Sequence, residues 1–378
     1  MKPLKIKNPF VVGVPVEGEN FANRKEEKQE ILDTIQSGQN LILYAPRRYG
    51  KSSLLREISS SLPSNNYIVI WLDLSEVSTV RGFLERMVKE LHRSSKTGKL
   101  ADFIQETLPR FLSMFRIGLG DLDISISVPP ERDLEELTLE VFDLPEKIGV
   151  QTNKRVVVIF DEFQDLLLLE NNLDKKLRAR IQYHKQASYV FMGSRKSLIN
   201  KIFFDRKSPF YYIGKKIEIN YIPTEEFKPF IQERFRATGK EIKENQLNKV
   251  LEATKGHPYF TQHLCFEIWN LASERVTDAN VNEALEKCIS AQSYLYEMLV
   301  DQIRSKDQRN VLFFLARHGP QAQFDVTTLT KMEIKNPNAI TLALRKLVEM
   351  ELIERNKRGQ YRLVDPFFAL FLKTKLEV

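Results

Sequence analysis

One segment constrains this chain more than any other: Ala45-Pro-Arg-Arg-Tyr-Gly50-Lys51-Ser52-Ser53, set between a short apolar run and an amphipathic helix. The run before it, Asn40–Tyr44, reads as a strand. After it, Leu54, Leu55, Ile58 and Leu62 make a buried helical stripe that Pro63 stops. Strand, loop and helix in that order match the pattern G-x-x-x-x-G-K-[ST], with Ala45 where the first glycine belongs. Gly50 lets the backbone turn so that its N–H groups point inward, at the positive end of the helix that follows. Lys51 supplies a compact cation for β- and γ-phosphates, and the Ser52 hydroxyl can face Mg²⁺.

A second segment completes the chemistry. Val156-Val-Val-Ile-Phe160 is an apolar strand that ends in two carboxylates, Asp161 and Glu162. At the C-terminal edge of a parallel strand, Asp161 points at a ligand crevice and can share a metal with Ser52. Glu162 is then placed to polarise a water, the part of a general base. An apolar strand followed by Asp-Glu means little alone; beside a phosphate loop it means a great deal.

The rest of the chain is organised around these two segments. Helix Arg24–Ile35, strand Tyr67–Leu74 and helix Val80–Leu91 give a strand–helix–strand–helix rhythm, and so a parallel α/β sheet. Tyr67–Leu74 reads as a strand covered on both faces. Between about 93 and 150 the rhythm breaks. There Leu122, Ile124, Ile126 and Val128 alternate with polar residues, and Phe115, Ile117 and Leu119 suggest a hairpin partner turning near Gly120-Asp121. Strands return at Arg155–Phe160, Tyr189–Met192 and Lys216–Ile219, with a helix near Leu173–Tyr183. Thr224–Ala237, Glu244–Thr254, Pro258–Ala272 and Asp278–Gln302 read as helices, the last starting at Thr277-Asp-Ala-Asn280. Helices Asp307–His318, Val326–Lys331 and Pro337–Met350, then strands Leu352–Arg355 and Gln360–Val364 around Lys357-Arg-Gly359, form a winged helix-turn-helix pattern. Three domains follow: a core over 1–222, a helical lid over 223–302 and a winged helix over 303–378.

Composition narrows the class. Of 378 residues, 42% are hydrophobic and 28% charged, which excludes disordered and low-complexity readings. No apolar run approaches the ~20 residues that span a bilayer, and no export signal is readable. Cys265 and Cys288 are too few for a disulfide framework and fit buried thiols in a reducing cytoplasm. The five histidines include no pair spaced for metal. Net charge is +7, and residues 301–378, with 14 basic against 9 acidic, carry five of it. Pro366-Phe-Phe-Ala-Leu-Phe371 reads as a closing core helix.

With the phosphate loop, the Asp161-Glu162 strand, Phe21-Ala-Asn-Arg24, Gly256-His-Pro258 and the winged helix together, the sequence resembles the archaeal-type P-loop ATPases, a branch of the AAA+/STAND ATPases. The resemblance covers essentially the whole chain. It implies a three-layer α/β P-loop core with an all-α lid, and ATP with Mg²⁺ as cofactors. Nucleotide contacts would come from Arg47, Arg48, Tyr49, Gly50, Lys51, Ser52 and Ser53. Ser52 and Asp161 would hold the metal, and Glu162 and Lys51 would carry catalysis. Phe21 and Arg24 match the box beside the base, Ser194 the polar sensor near the γ-phosphate, and Pro258 the proline by which the lid approaches adenine. The family often has Gly-Arg where this chain has Gly214-Lys215, and Lys lacks the planar fork of an arginine finger. Arg195 and Arg206 remain candidate substitutes for it, although the favoured reading of each is a solvated surface arginine.

Two functions follow. The first is a molecular switch in which ATP closes the lid and hydrolysis reopens it. The second is an ATP-licensed DNA-binding protein resembling origin-recognition ATPases, with Arg345, Lys346, Lys357 and Arg358 on phosphates. A scaffold indifferent to nucleotide fits poorly with intact Lys51, Ser52, Asp161 and Glu162. Partners are ATP or ADP, then DNA through the winged helix, or a protein or second copy; no membrane is expected, and the cytoplasm is the expected place.

Overall fold

The computed structural model describes residues 7–376 apart from 23, 96–99, 118–123, 128–130, 323, 325–327, 329–333, 335 and 357–358. Its contacts divide the chain into two compact units. One comprises Lys25–Arg47 and Lys51–Ile219; the other comprises Met1–Arg24, Arg48–Gly50 and Asn220–Val378.

The first unit is a parallel α/β layer structure. Helix α1 (Lys25–Gln36) leads into strand β1 (Leu41–Tyr44), and helix α2 (Lys51–Ser61) into β2 (Tyr67–Asp73). Helix α3 (Val80–Ser95) and helix α4 (Leu100–Thr107) precede a hairpin of β3 (Phe115–Ile117) and β4 (Ile124–Ile126). The hairpin pairs antiparallel, Phe115 opposite Ile126, as the alternation of apolar residues predicts; its turn near Gly120-Asp121 lies outside the described residues. Helix α5 (Glu131–Thr152), strand β5 (Arg155–Asp161), helix α6 (Leu173–Ile181), strand β6 (Ala187–Gly193), helix α7 (Lys196–Phe203) and strand β7 (Lys215–Glu218) complete the unit. The sheet runs β2-β5-β6-β1-β7, every pair parallel.

This order explains a departure from expectation at β2. The strand lies at the sheet edge, and burial alternates along it, with Ile68, Ile70 and Leu72 inside and Tyr67, Val69 and Trp71 half-buried. It is therefore not covered on both faces, whereas the central β5 and β6 are buried almost continuously. The core is aromatic. Phe191 lies within 6.2 Å, centroid to centroid, of Phe160, Phe163, Tyr189, Phe203 and Phe210.

The second unit is mainly helical. Helices α8 (Thr224–Arg236), α9 (Glu244–Thr254) and α10 (Pro258–Leu271) agree closely with the sequence pattern; α11 (Asp278–Ser290) starts where expected, with Thr277 and Asn280 in a reciprocal capping box. The expected helix Asp278–Gln302 is two helices: α12 (Ser293–Gln302) starts afresh beyond Ala291-Gln292. The break lets the Tyr296 ring pack on Phe368 and Phe371 while its hydroxyl donates to Asp365 at 3.0 Å. Helix α13 (Lys306–His318), helix Pro337–Glu349 and the hairpin of β8 (Ile353–Arg355) and β9 (Tyr361–Leu363) supply the winged-helix elements. The helix expected at Val326–Lys331 and the wing residues Lys357 and Arg358 lie outside the described residues. Helix Pro366–Leu376 buries Phe367, Phe368, Phe371 and Leu372 and closes this core. Cys265 and Cys288 are buried and free. Among the described residues, no helix is long and apolar enough to cross a membrane.

Candidate functional site

Sheet topology brings the key side chains together. Strands β1, β5 and β6 are neighbours, so the loop after β1 and the polar ends of β5 and β6 share the C-terminal edge of the sheet. The Ser52 hydroxyl lies 3.2 Å from Asp161 Oδ2. Lys51 is 6% exposed, and its ammonium donates to the carbonyls of Ala45 and Pro46 at 2.8 and 3.0 Å. These bonds hold the cation inside the loop. Ala45 is not among the residues with positive φ, so its Cβ fits there without backbone strain. Gly50, at φ +82°, takes the left-handed turn that admits glycine most readily.

Glu162 stands just beyond β5 in a left-handed conformation (φ 50°), where its Oε2 accepts from the Ser194 hydroxyl at 2.7 Å and from Gln164 Nε2 at 2.5 Å. Burial alone would raise its carboxyl; the bonds from Gln164 and Ser194 and the Lys51 charge outweigh it and hold the group below its usual range. Asp161 behaves oppositely. Burial, then the charges of Glu162 and Asp73, push it up to about 6. Two adjacent carboxylates thus have divergent proton affinities. Negative charge around Asp161, with a hydroxyl at 3.2 Å, is an environment that a divalent cation would relieve, so Ser52 and Asp161 fit a magnesium ion by their chemistry. Among the described residues, no set of three or more His, Cys, Asp or Glu forms an all-protein metal site.

Asp73 and Gln164 escaped the sequence reading. Asp73 ends β2 in register with Asp161, and an acid at the end of an apolar strand was a signal that could have found it. Gln164 sits in an unremarkable segment, and nothing local marks it.

The remaining candidates lie in the second unit, which includes the loop tip Arg48–Gly50. Arg24 is only 1% exposed and stands just before α1 at φ 44°, with Nη2 donating to the carbonyls of Tyr49 (3.0 Å) and Asn220 (2.8 Å). The structure therefore shows it holding loop backbone. Phe21 is half-buried. Arg48 lies over the Tyr259 ring at 4.5 Å, and Tyr49 is 1% exposed against Tyr221 and His257. Pro258 opens α10 at its first turn. Before it, Gly256 at φ +75° approaches the Ile222 carbonyl so closely that a Cβ would come within 2.6 Å, which explains glycine in Gly-His-Pro. Elsewhere, Lys215 pairs with Glu30 at 2.8 Å in the first unit.

His257 yields a pH prediction. Burial, then the Arg362, Arg24 and Arg48 charges, keep its imidazole well below the ordinary value and hence neutral. An unfolded chain takes up a proton there near pH 6.5 and the folded chain does not, so stability falls as pH drops below about 6.5, at up to about 1.4 kcal/mol per pH unit. His257→Phe keeps the ring contacts and should flatten this dependence, read as the change in Tm between pH 7.5 and 5.5.

The family model described as "ATPase domain predominantly from Archaea" matches residues 21–264. The chain belongs to this ATPase family. A second model, described as "Probable winged helix domain", matches residues 294–374 of this archaeal-type ATPase. Among solved structures, the Walker-type ATPase of Pyrococcus abyssi aligns over 97% of this chain and 99% of its own, with TM-score 0.66 and 20% identity. The ORC2 protein of Aeropyrum pernix, in its ADPNP-ADP complexes, aligns over 97% of both chains with TM-score 0.56 and 12% identity. At these identities the likeness is one of fold: a P-loop ATPase sheet with a C-terminal winged helix. Among curated protein sequences, none matches this ATPase.

Proposed function

We propose that this ATPase is a magnesium-dependent, ATP-hydrolysing molecular switch of the AAA+/STAND kind. The observation that carries the reading is the cluster of Lys51, Ser52, Asp161, Glu162 and Ser194 at one edge of the sheet. The fold shared with a protein solved with ADPNP and ADP supports nucleotide as the ligand. Lys51 and the loop N–H groups bind phosphates, and Ser52 and Asp161 hold Mg²⁺, which would neutralise phosphate charge. Glu162 takes the proton of the attacking water. As hydrogen-bonded, Glu162 is a weakened base, and Ser194 and Gln164 must release or redirect it for fast turnover. Residues 1–222 act as the core, 223–302 as the lid and 303–378 as the moving winged helix. Two free buried thiols suit a cytoplasmic setting.

The alternative, ATP-licensed DNA binding, draws on the winged helix. On helix Pro337–Glu349, however, Arg345 and Lys346 both pair with Glu349, at 3.8 and 2.7 Å. That pairing partly neutralises the face a recognition helix would present, and weighs against DNA. The deciding measurement is the ATPase rate with and without duplex DNA at low and moderate salt. Turnover that needs Mg²⁺ and ignores DNA is expected; salt-sensitive DNA retention would establish the alternative, and absence of turnover under every condition would refute the switch.

A further inference from the structure

We propose that the wing of the winged helix positions the phosphate loop: Glu354 on β8 and Arg362 on β9 act through Tyr49 as positioning residues for the nucleotide site. The inference rests on the nucleotide reading above and adds to it a route by which an event at the wing reaches the loop.

Tyr49 sits at the tip of the phosphate loop. It lies between Arg48 (φ 66°) and Gly50 (φ 82°), both left-handed, so the loop tip holds a conformation that an L-residue adopts only under constraint. Both ends of Tyr49 are tied. Its carbonyl accepts from Arg24 at 3.0 Å, and its hydroxyl donates to Glu354 Oε1 at 2.6 Å, across 305 residues of sequence. Glu354 is 6% exposed, and the same oxygen accepts from Arg362 Nε at 2.6 Å. The Arg362 guanidinium in turn lies 3.7 Å from the Tyr221 centroid, and Tyr221 packs on Tyr49 with centroids 5.3 Å apart. Tyr49, Glu354, Arg362 and Tyr221 thus form a closed ring of contacts within one compact unit.

A buried carboxylate paired with one guanidinium and one phenol is costly to desolvate and brittle when one partner is lost. Apolar packing would hold two surfaces together as well, but with less directional control. What the polar ring adds is direction: it fixes the rotation of the Tyr49 ring, and with it the backbone one residue before Gly50 and two before Lys51. A loop already held in its turn requires less reordering when phosphates arrive. Displacing β8 or β9 would release the hydroxyl and relax the turn.

The experiment uses the full chain and MgATP, reading KM and kcat with Tm as control. Tyr49→Phe removes one oxygen and keeps the ring; it is expected to raise KM about 5- to 10-fold, the size of one buried hydrogen bond, with kcat changed less than about twofold. Glu354→Ala should do the same, the double variant should be no worse than the poorer single one, and Glu354→Gln, which keeps an acceptor for Tyr49, should recover most of the loss. Unchanged KM, multiplying losses, or a fall in kcat alone that tracks the folded fraction would overturn the positioning role. Should Glu354→Ala not fold, Tyr49→Phe decides the matter alone. Failure of the parent protein to bind nucleotide refutes the underlying reading; normal binding with indistinguishable variants refutes only this inference.

Discussion

Replacing Lys51 with Ala is expected to weaken ATP binding by about 10²- to 10⁴-fold and bring hydrolysis below detection. The range follows from losing two charge-assisted contacts to phosphate at about 1.5–3 kcal/mol each. In the structure the same ammonium satisfies the carbonyls of Ala45 and Pro46, so the variant also frees two acceptors at the base of the loop. A melting curve separates that local effect from unfolding, and titration with a fluorescent ATP analogue measures the loss. Lys51→Arg should not restore the site, because a planar guanidinium cannot occupy the space of a compact ammonium that is 6% exposed. Undiminished turnover in Lys51→Ala would remove the loop from the nucleotide site.

Glu162→Gln should separate binding from chemistry. The amide keeps the size of the side chain and an oxygen that can accept from Ser194, while the charge that takes up a proton is gone. General-base catalysis contributes about 10²- to 10⁴-fold, so single-turnover hydrolysis should slow by at least about 100-fold with ATP affinity changed less than about threefold. Asp161 and its Ser52 partner are unaltered in this variant, so on the proposed reading binding should persist. A variant hydrolysing at the parental rate would show that another group handles the proton. A variant that binds ATP poorly would place Glu162 in ligand binding instead.

The sequence alone was enough for most of what local pattern governs, the break between α11 and α12 at Ala291-Gln292 excepted. Gly50, Lys51 and Ser52 between an apolar strand and an amphipathic helix could be read at once, because a phosphate-cradling turn is built from consecutive residues. The boundaries of α8 to α10 followed from spacing and the start of α11 from the Thr277–Asn280 cap, both of which act within a turn or two of helix. Tertiary structure decided what depends on residues far apart. Strand order put Ser52 beside Asp161 across 109 positions and made β2 an edge with alternating burial. It set Ser194 on Glu162 across 32 positions, and that bond, with the local one from Gln164, reversed the effect that burial alone would have on the carboxyl. It also tied Tyr49 to Glu354, a pairing invisible in sequence because neither residue's neighbours change pattern to announce it. Periodicity reports which face of an element is buried; which distant polar atom meets it there is set by how the layers pack.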